Sequence, residues 1–343
     1  MNEYLVTGGL GFIGSHLVEE LLKDENNRVW IIDDSTNAVW NPRRGRLDAD
    51  EKGKIRDLMA PLMGGYEVTD DPRNPRLVCV GGDFAHRNVL DFVRSSRFTC
   101  VFHLAGHCSV AQSIDRPLDY LEHNVAKTLE LAKACAEGHT RIIFSSSASV
   151  YGQLDTALPI CESTAMYPTN PYGATKMTVE NWFRVYKDLY GLDYVNLRYF
   201  NVYGPRQKAG SPYAGAIANW VHAIWMKKPL IVYGDGEQTR DFIHVSDVVR
   251  ANIKALHAPT TRFHTYNIAA EDRTSMNTVL SMLESMCRHK FNVKYEDARQ
   301  GDVKDSIGNN VRAKVALEWE PDTTLYEGLL SLLKWRGVEC KID

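Results

Sequence analysis

Tyr4-Leu5-Val6-Thr7-Gly8-Gly9-Leu10-Gly11-Phe12-Ile13-Gly14, running on into Ser15-His16-Leu17-Val18-Glu19-Glu20-Leu21-Leu22, decides the fold. A short apolar run of strand length passes through a glycine turn into a segment that reads as a helix. Gly8-x-x-Gly11-x-x-Gly14 therefore sits in the strand-to-helix context that a dinucleotide fingerprint requires. Gly8 permits the tight turn, Gly11 lets the backbone approach a pyrophosphate, and Gly14 lets the helix pack closely on the strand. The first-turn N–H groups, from Phe12 and Ile13 onward, then face the phosphates.

Outward from this turn the pattern repeats. Arg28-Val29-Trp30-Ile31-Ile32 is a second apolar run, closed by Asp33-Asp34. Asp33 follows Gly14 by 19 residues, where a carboxylate can accept from an adenosine ribose hydroxyl. It would repel a 2′-phosphate, and no arginine follows immediately, so NAD is expected over NADP, with Asp34 and Asn37 beside the ribose. Further strands fit at Arg76–Val80, Cys100–His103, Arg141–Ser145 and Tyr194–Tyr199, and helices at Asp119–Gly138 and Gly173–Tyr190. Apolar strands alternating with amphipathic helices imply a parallel sheet covered on both faces. Gly82-Asp83-Phe84, after the third strand, is placed to cover an adenine. The expected fold is α/β, a doubly wound parallel sheet of the Rossmann type with a smaller C-terminal substrate-binding region. Residues 1–200 plus 237–268 would bind NAD; residues 201–236 plus 269–343 would bind substrate. The polar stretch from Asn37 to Asn74 is long for a connection, and Ile55–Met63 within it could be a helix.

Bulk properties exclude several classes. The chain has 343 residues, 44% hydrophobic and 24% charged, with a net charge of −3. That balance makes no electrostatic case for nucleic acid or an anionic membrane. Arg43-Arg44-Gly45-Arg46 is a short basic spot beside Asp48, Asp50 and Glu51 and reads as a solvated loop. The 7 cysteines, from Cys79 to Cys340, form no C-x-x-C pair, and the 11 histidines show no ligand spacing. A reducing compartment without disulfides or metal is expected. No apolar run approaches membrane-spanning length and no leader precedes the first strand, so a cytoplasmic protein is expected.

The second signature is Tyr172-Gly173-Ala174-Thr175-Lys176, with Ser145-Ser146-Ser147 ahead of it. Tyrosine is a poor base with its free pKa near 10. A nearby cation favours the phenolate, and Lys176 at i+4 shares a helix face with Tyr172. A hydroxyl from Ser147 can orient a substrate oxygen. The order implies an enzyme that moves a hydride and a proton at a sugar-like alcohol.

These residues resemble the extended short-chain dehydrogenase/reductases, specifically the nucleotide-sugar 4-epimerases acting on UDP-glucose and UDP-N-acetylglucosamine. The resemblance runs from about Tyr4 to about Pro321. It is carried by Thr7–Gly14, Phe102-His103-Leu104-Ala105, Ser145–Gly152, Tyr172–Lys176 and Arg198–Pro205, then by Gly234-Asp235-Gly236, Arg240-Asp241-Phe242 and Arg299-x-Gly301-Asp302-Val303. It implies Tyr172 as base, Lys176 as its activator and nicotinamide-ribose ligand, and Ser147 as hydroxyl positioner. Leu104 and Ala105 would line the cofactor, and Asn124 would support the active-site lysine through water. Asn201 would hold the sugar nucleotide, Arg240 and Arg299 its diphosphate, and Asp302 the uridine ribose. Ser306 would lie against the sugar at C2, where its small size admits an acetamido group.

The family's dehydratases carry Thr-Asp-Glu where this chain has Ser147-Ala148-Ser149, and decarboxylases carry glutamate at Ser149, so C4 epimerisation is the expected reaction. NAD would be held tightly and recycled through a transient 4-keto sugar. Sibling chemistries, a UDP-glucuronate 4-epimerase and a silent NAD-sensing protein stay open as alternatives. The glucuronate branch often has Thr where Asn201 stands. Departures from the family pattern are Gly106, Gln300, Ala269-Ala270 and the long Asn37–Asn74 segment. The family also implies a homodimer through the helices at Asp119–Gly138 and Gly173–Tyr190, with Leu129, Leu131, Trp182 and Phe183 as apolar surface.

Overall fold

The computed structural model describes residues 1–41, 45–46, 67–71, 74–153, 159–210, 214–259, 263–298 and 304–340. Ile55–Met63, Arg43, Arg44, Arg299, Gln300 and Asp302 lie outside the described residues.

The central strands are β1 (Asn2–Thr7), β2 (Asn27–Asp33), β3 (Glu67–Asp71), β4 (Asn74–Gly81), β5 (Cys100–His103), β6 (Arg141–Ser147), β7 (Tyr194–Tyr199) and β8 (Thr265–Ile268). Their order across the sheet is β8-β7-β6-β5-β1-β2-β4-β3. Every pairing is parallel except β3 on β4. The acidic edge strand β3 was not expected, because Asp70-Asp71-Pro72 reads as a turn; edges favour such charged residues. From β1 the chain steps outward through β2 to β4, then returns to β5 on the other side of β1. The strand order reverses there, which opens a crevice beyond the ends of β1 and β5.

Successive strand residues feed opposite cores. Tyr4 and Val6 pack on the face that carries α1 (Phe12–Leu21), while Leu5 packs on the opposite face. That second face is covered by α2 (Arg87–Ser95), α3 (Lys127–Glu137) and α4 (Pro171–Tyr190). Phe102 and Val101 divide the same way, as do Ile143 and Ile142. This two-sided burial makes the strands near-continuous in apolar character. On the first face α5 (Val245–Ala255) packs beside α1.

Helix α4 begins where it does for local reasons. The Asn170 side chain accepts from Gly173 N at 2.9 Å, Pro171 occupies the first turn, and Gly191 ends the helix in the left-handed region. A Cβ at Gly173 would lie 2.4 Å from the Ser149 carbonyl oxygen, so only glycine lets α4 rest against the chain leaving β6. The helical run before α3 contains a π turn, Glu122–Ala126, inside the segment expected as one regular helix. This slip turns Asn124 into the protein.

A third core, built on Trp220, Val279, Leu283, Leu329 and Leu333, holds the C-terminal helices Ala216–Trp225, Met276–Cys287 and Leu325–Arg336 together. Residues 205–208 cross back to the nucleotide side. His16 donates to the Pro205 carbonyl at 2.9 Å, Arg206 meets both Glu19 oxygens at 2.7 Å, and Lys208 donates to Asn37 at 3.3 Å.

Candidate active site

A cavity of about 430 Å³ occupies the crevice at the sheet's switch point. Gly8, Gly11, Phe12, Ile13 and Gly14 line it, as do Asp33, Asp34 and Asn37. Asp83, Phe84, Leu104 and Ala105 add further wall, and Tyr172 and Lys176 reach it from α4. The expected cofactor set is thus assembled around one space, apart from Asn124. That side chain instead clamps the backbone of His107, accepting from its N–H and donating to its carbonyl, both at 2.8 Å.

The glycine turn fits a diphosphate. A Cβ on Gly14 would sit 2.2 Å from the Gly8 carbonyl oxygen, and one on Gly8 would sit 2.8 Å from Ala105 N. Only glycine therefore lets the two strand-end loops and α1 converge. The start of α1 has no side-chain cap at Gly11, so its first N–H groups are available to an anion. At the end of β2, Asp33 accepts from Leu10 N at 3.0 Å and Ser35 N at 2.8 Å. Burial pushes its carboxyl up to about 6 against those two hydrogen bonds. These residues fit NAD: the turn would take the diphosphate and Asp33 the adenosine ribose.

The reacting end is set by β6 and α4. The Ser147 hydroxyl draws the Tyr172 phenol down and accepts from Ser149 N at 3.2 Å. Lys176, only 5% exposed, donates to the Ser145 carbonyl at 2.8 Å. Its ammonium is 5.8 Å from the centre of the Tyr172 ring. The expected lowering of the phenol by Lys176 is therefore not what these contacts produce. Burial pushes Tyr172 up, Cys108 adds to that, and the Ser147 hydrogen bond opposes it. Burial also draws Lys176 down to about 8. Ser147→Ala should slow turnover by about 10–10³-fold, because the hydroxyl orients rather than carries the proton. An unchanged steady-state rate would show that another serine does this work.

His103 is wholly buried between Thr7 Oγ1 at 2.7 Å and Thr128 Oγ1 at 2.9 Å. Burial takes it down to about 3, so this motif residue is a neutral bridge between β1 and α3. His107, Cys108, His123, Gln207 and Lys208 also line the cavity and were not anticipated. His107, Cys108, Gln207 and Lys208 stand on loops, where no periodicity marks a side chain as inward-facing, and His123 lies in the π turn, where the register slips.

Of the expected substrate residues, Ser147, Asn201, Arg240 and Ser306 do not line the cavity. Asn201 N and Nδ2 donate to the Asp241 carbonyl at 3.0 and 3.2 Å. The Asp241 carboxylate gathers Ala270 N, Glu271 N and Gly308 N, at 2.7, 3.1 and 3.0 Å. Arg240 donates to the carbonyls of Thr239 and Lys304 at 2.9 and 3.2 Å. Ser306 is half-buried between fixed neighbours: Lys304 N donates to Gln153, Thr239 Oγ1 to Asp305 at 2.6 Å, and Ile160 N to the Ile307 carbonyl. Among the described residues no group of three metal-ligating side chains occurs, and no helix is long and apolar enough to cross a membrane. No two of the 7 cysteines are paired in a disulfide.

Comparison with known proteins places this geometry. The model of the NAD dependent epimerase/dehydratase family matches residues 4–269. An uncharacterised UDP-glucose epimerase of Bacillus subtilis is 34% identical over 327 residues, 95% of each chain. The UDP-N-acetylglucosamine 4-epimerase of Methanobrevibacter ruminantium, solved with UDP-N-acetylmuramic acid, superimposes with a TM-score of 0.81 at 33% identity, covering 98% of both chains. The UDP-glucuronic acid 4-epimerase of Bacillus cereus, solved with UDP-glucuronic acid and NAD, gives 0.80 at 29% identity over 98% of this chain and 99% of the other. The chain belongs to the NAD-dependent epimerase/dehydratase family, as an isomerase that works with NAD.

Proposed function

We propose that this enzyme inverts C4 of a UDP-hexose, interconverting UDP-N-acetylglucosamine with UDP-N-acetylgalactosamine at least as well as UDP-glucose with UDP-galactose. The observation that carries the reading is Tyr172 and Lys176 reaching the cavity from one face of α4, with Ser147 acting on the phenol and no carboxylate at Ala148 or Ser149. Tyr172 takes the proton of the 4-hydroxyl, and Ser147 holds that oxygen in line. NAD bound here would supply the hydride acceptor for C4 and the donor for its return to the other face, and its positive ring would favour the phenolate. Lys176 holds the nicotinamide ribose. The 4-keto sugar turns about its diphosphate linkage between the two transfers. Asn201, Arg240 and Arg299 hold that linkage, Asp302 holds the uridine ribose, and Ser306 leaves room at C2. A dehydratase or decarboxylase needs an acid or carboxylate that positions 148 and 149 do not supply.

The test is a panel of UDP-sugars with C4 epimers resolved by NMR. We expect both N-acetylated and plain hexoses to be epimerised without change of mass. Turnover of UDP-glucuronate alone would favour the glucuronate branch represented by the Bacillus cereus enzyme, and a product of altered mass would mean sibling chemistry.

We also propose a homodimer. Leu131 and Phe183 turn out to be fully buried against the sheet, but Trp182 is 44% and Leu189 66% exposed on α4. Leu118 and Leu121 add exposed apolar surface on the segment before α3. Such a patch suits self-association through paired helices. Light scattering at micromolar concentration should give twice the monomer mass; a strict monomer refutes the pairing.

A further inference from the structure

Three consecutive serines at the end of β6 meet three residues spaced four apart on α4. Ser147 draws the Tyr172 phenol down, the Ser145 carbonyl accepts from Lys176, and Ser146 Oγ donates to Glu180 Oε1. Positions 172, 176 and 180 share one helix face. The first two contacts belong to the proton-handling pair; the third has no part in the chemistry above.

Glu180 is locked from behind. Arg198 on β7 donates through Nε to both its oxygens, at 3.0 and 3.1 Å, and again through Nη2. Arg198 Nη1 donates to the Tyr151 hydroxyl at 2.7 Å, which donates to Asn267 Oδ1 on β8 at 2.6 Å. The two charged side chains are only 5% and 4% exposed. A buried ion pair is weak evidence for stability, because well-packed apolar residues often serve there equally well. Its place under the catalytic helix calls for another account.

We propose that Glu180 is a positioning residue for the proton-handling pair: its carboxylate, locked by Arg198, registers α4 on the serines of β6 and sets a fixed negative charge one turn from Lys176. The other groups facing Lys176 carry no fixed negative charge, although a Cys108 thiolate would favour the ammonium more than Glu180 does. They are Cys108 from the loop after β5, His103 on β5, the Phe144 ring on β6 at 4.6 Å, and Tyr172 on its own helix. Burial keeps the Cys108 thiol and the Tyr172 phenol protonated and His103 neutral. Solvent reaches Cys108 across the cavity, yet the surrounding protein is dense enough to push its thiol up.

The sign follows from Coulomb's law: removing the carboxylate destabilises the ammonium, so Lys176 gives up its proton at lower pH. The test uses NAD-loaded full-length enzyme with 13C-labelled lysines, the Lys176 signal being assigned with Lys176→Arg. In Glu180→Gln the Lys176 midpoint should fall by roughly one pH unit, and the alkaline limb of kcat/KM on a turned-over UDP-hexose should move with it. Glu180→Asp keeps the charge and should restore the midpoint while kcat stays low. If Glu180→Gln does not fold, Glu180→Gln combined with Arg198→Met removes both charges at similar volume and should show a smaller displacement in the same direction, since the loss of the Arg198 cation partly offsets that of the carboxylate. An unmoved midpoint, or a rate lowered equally at every pH, overturns the proposal. The inference rests on Tyr172 and Lys176 handling the proton. The NMR titration needs no substrate, so it stands or falls separately from the choice of sugar.

Discussion

Tyr172→Phe should retain the fold and NAD but lose epimerisation by about 10³–10⁴-fold, the upper range for removal of a general acid–base group. The substitution removes one oxygen. Its partner Ser147 keeps the Ser149 N–H, so no polar group is stranded and the fold has no reason to change. The nearest proton-carrying groups lining the cavity are fixed elsewhere. Lys176 is held on the Ser145 carbonyl, and His107 is clamped through its backbone by Asn124. Single-turnover assays with stoichiometric NAD separate the loss of proton transfer from any loss of binding. Activity within tenfold of the parent would remove Tyr172 from this role.

Ser306→Tyr should cut turnover of the acetylated pair by on the order of 10²-fold or more while sparing UDP-glucose, since overpacking a fitted wall costs up to about 3 kcal/mol. The segment cannot easily back away. Asp305 is tied to Thr239 and Arg273, and Ile307 and Asn309 pair with the backbone of Ile160. A ring at 306 therefore has to fill the space at C2 or break those ties. If both sugars are spared, the wall at C2 comes from elsewhere. If the parent enzyme ignores acetylated sugars, the assignment of Ser306 is wrong from the start.

Much of the nucleotide half was legible because it repeats two strong patterns. β7 begins and ends at Tyr194 and Tyr199 as expected, and β5 at Cys100 and His103: β7 alternates Val195 and Leu197 with Asn196 and Arg198, and β5 is a short run led by Cys100, Val101 and Phe102. Other elements were hidden for physical reasons. β3 is acidic and sits at an edge, so it carries no apolar signature. The π turn at Glu122–Ala126 keeps helical composition while shifting register, which no spacing reveals. Of the site, the glycine turn, Asp33, Tyr172, Lys176 and Ser147 could be read because local spacing dictates where they point. Glu180 continues the Tyr172–Lys176 spacing by four and was available to the same reading. Its partner Arg198 was not, since the sheet order alone brings β7 behind α4.

The strap formed by residues 205–208 has a kinetic consequence. It binds the glycine-loop helix through His16 and Glu19 and the loop after β2 through Asn37, while Gln207 and Lys208 border the cavity. If NAD sits behind it, release would need these ties to open as well as the glycine-loop contacts to break. A coenzyme so held would stay through successive cycles as a fixture, and the working rate would be shielded from the oxidised-to-reduced nucleotide ratio of the surroundings.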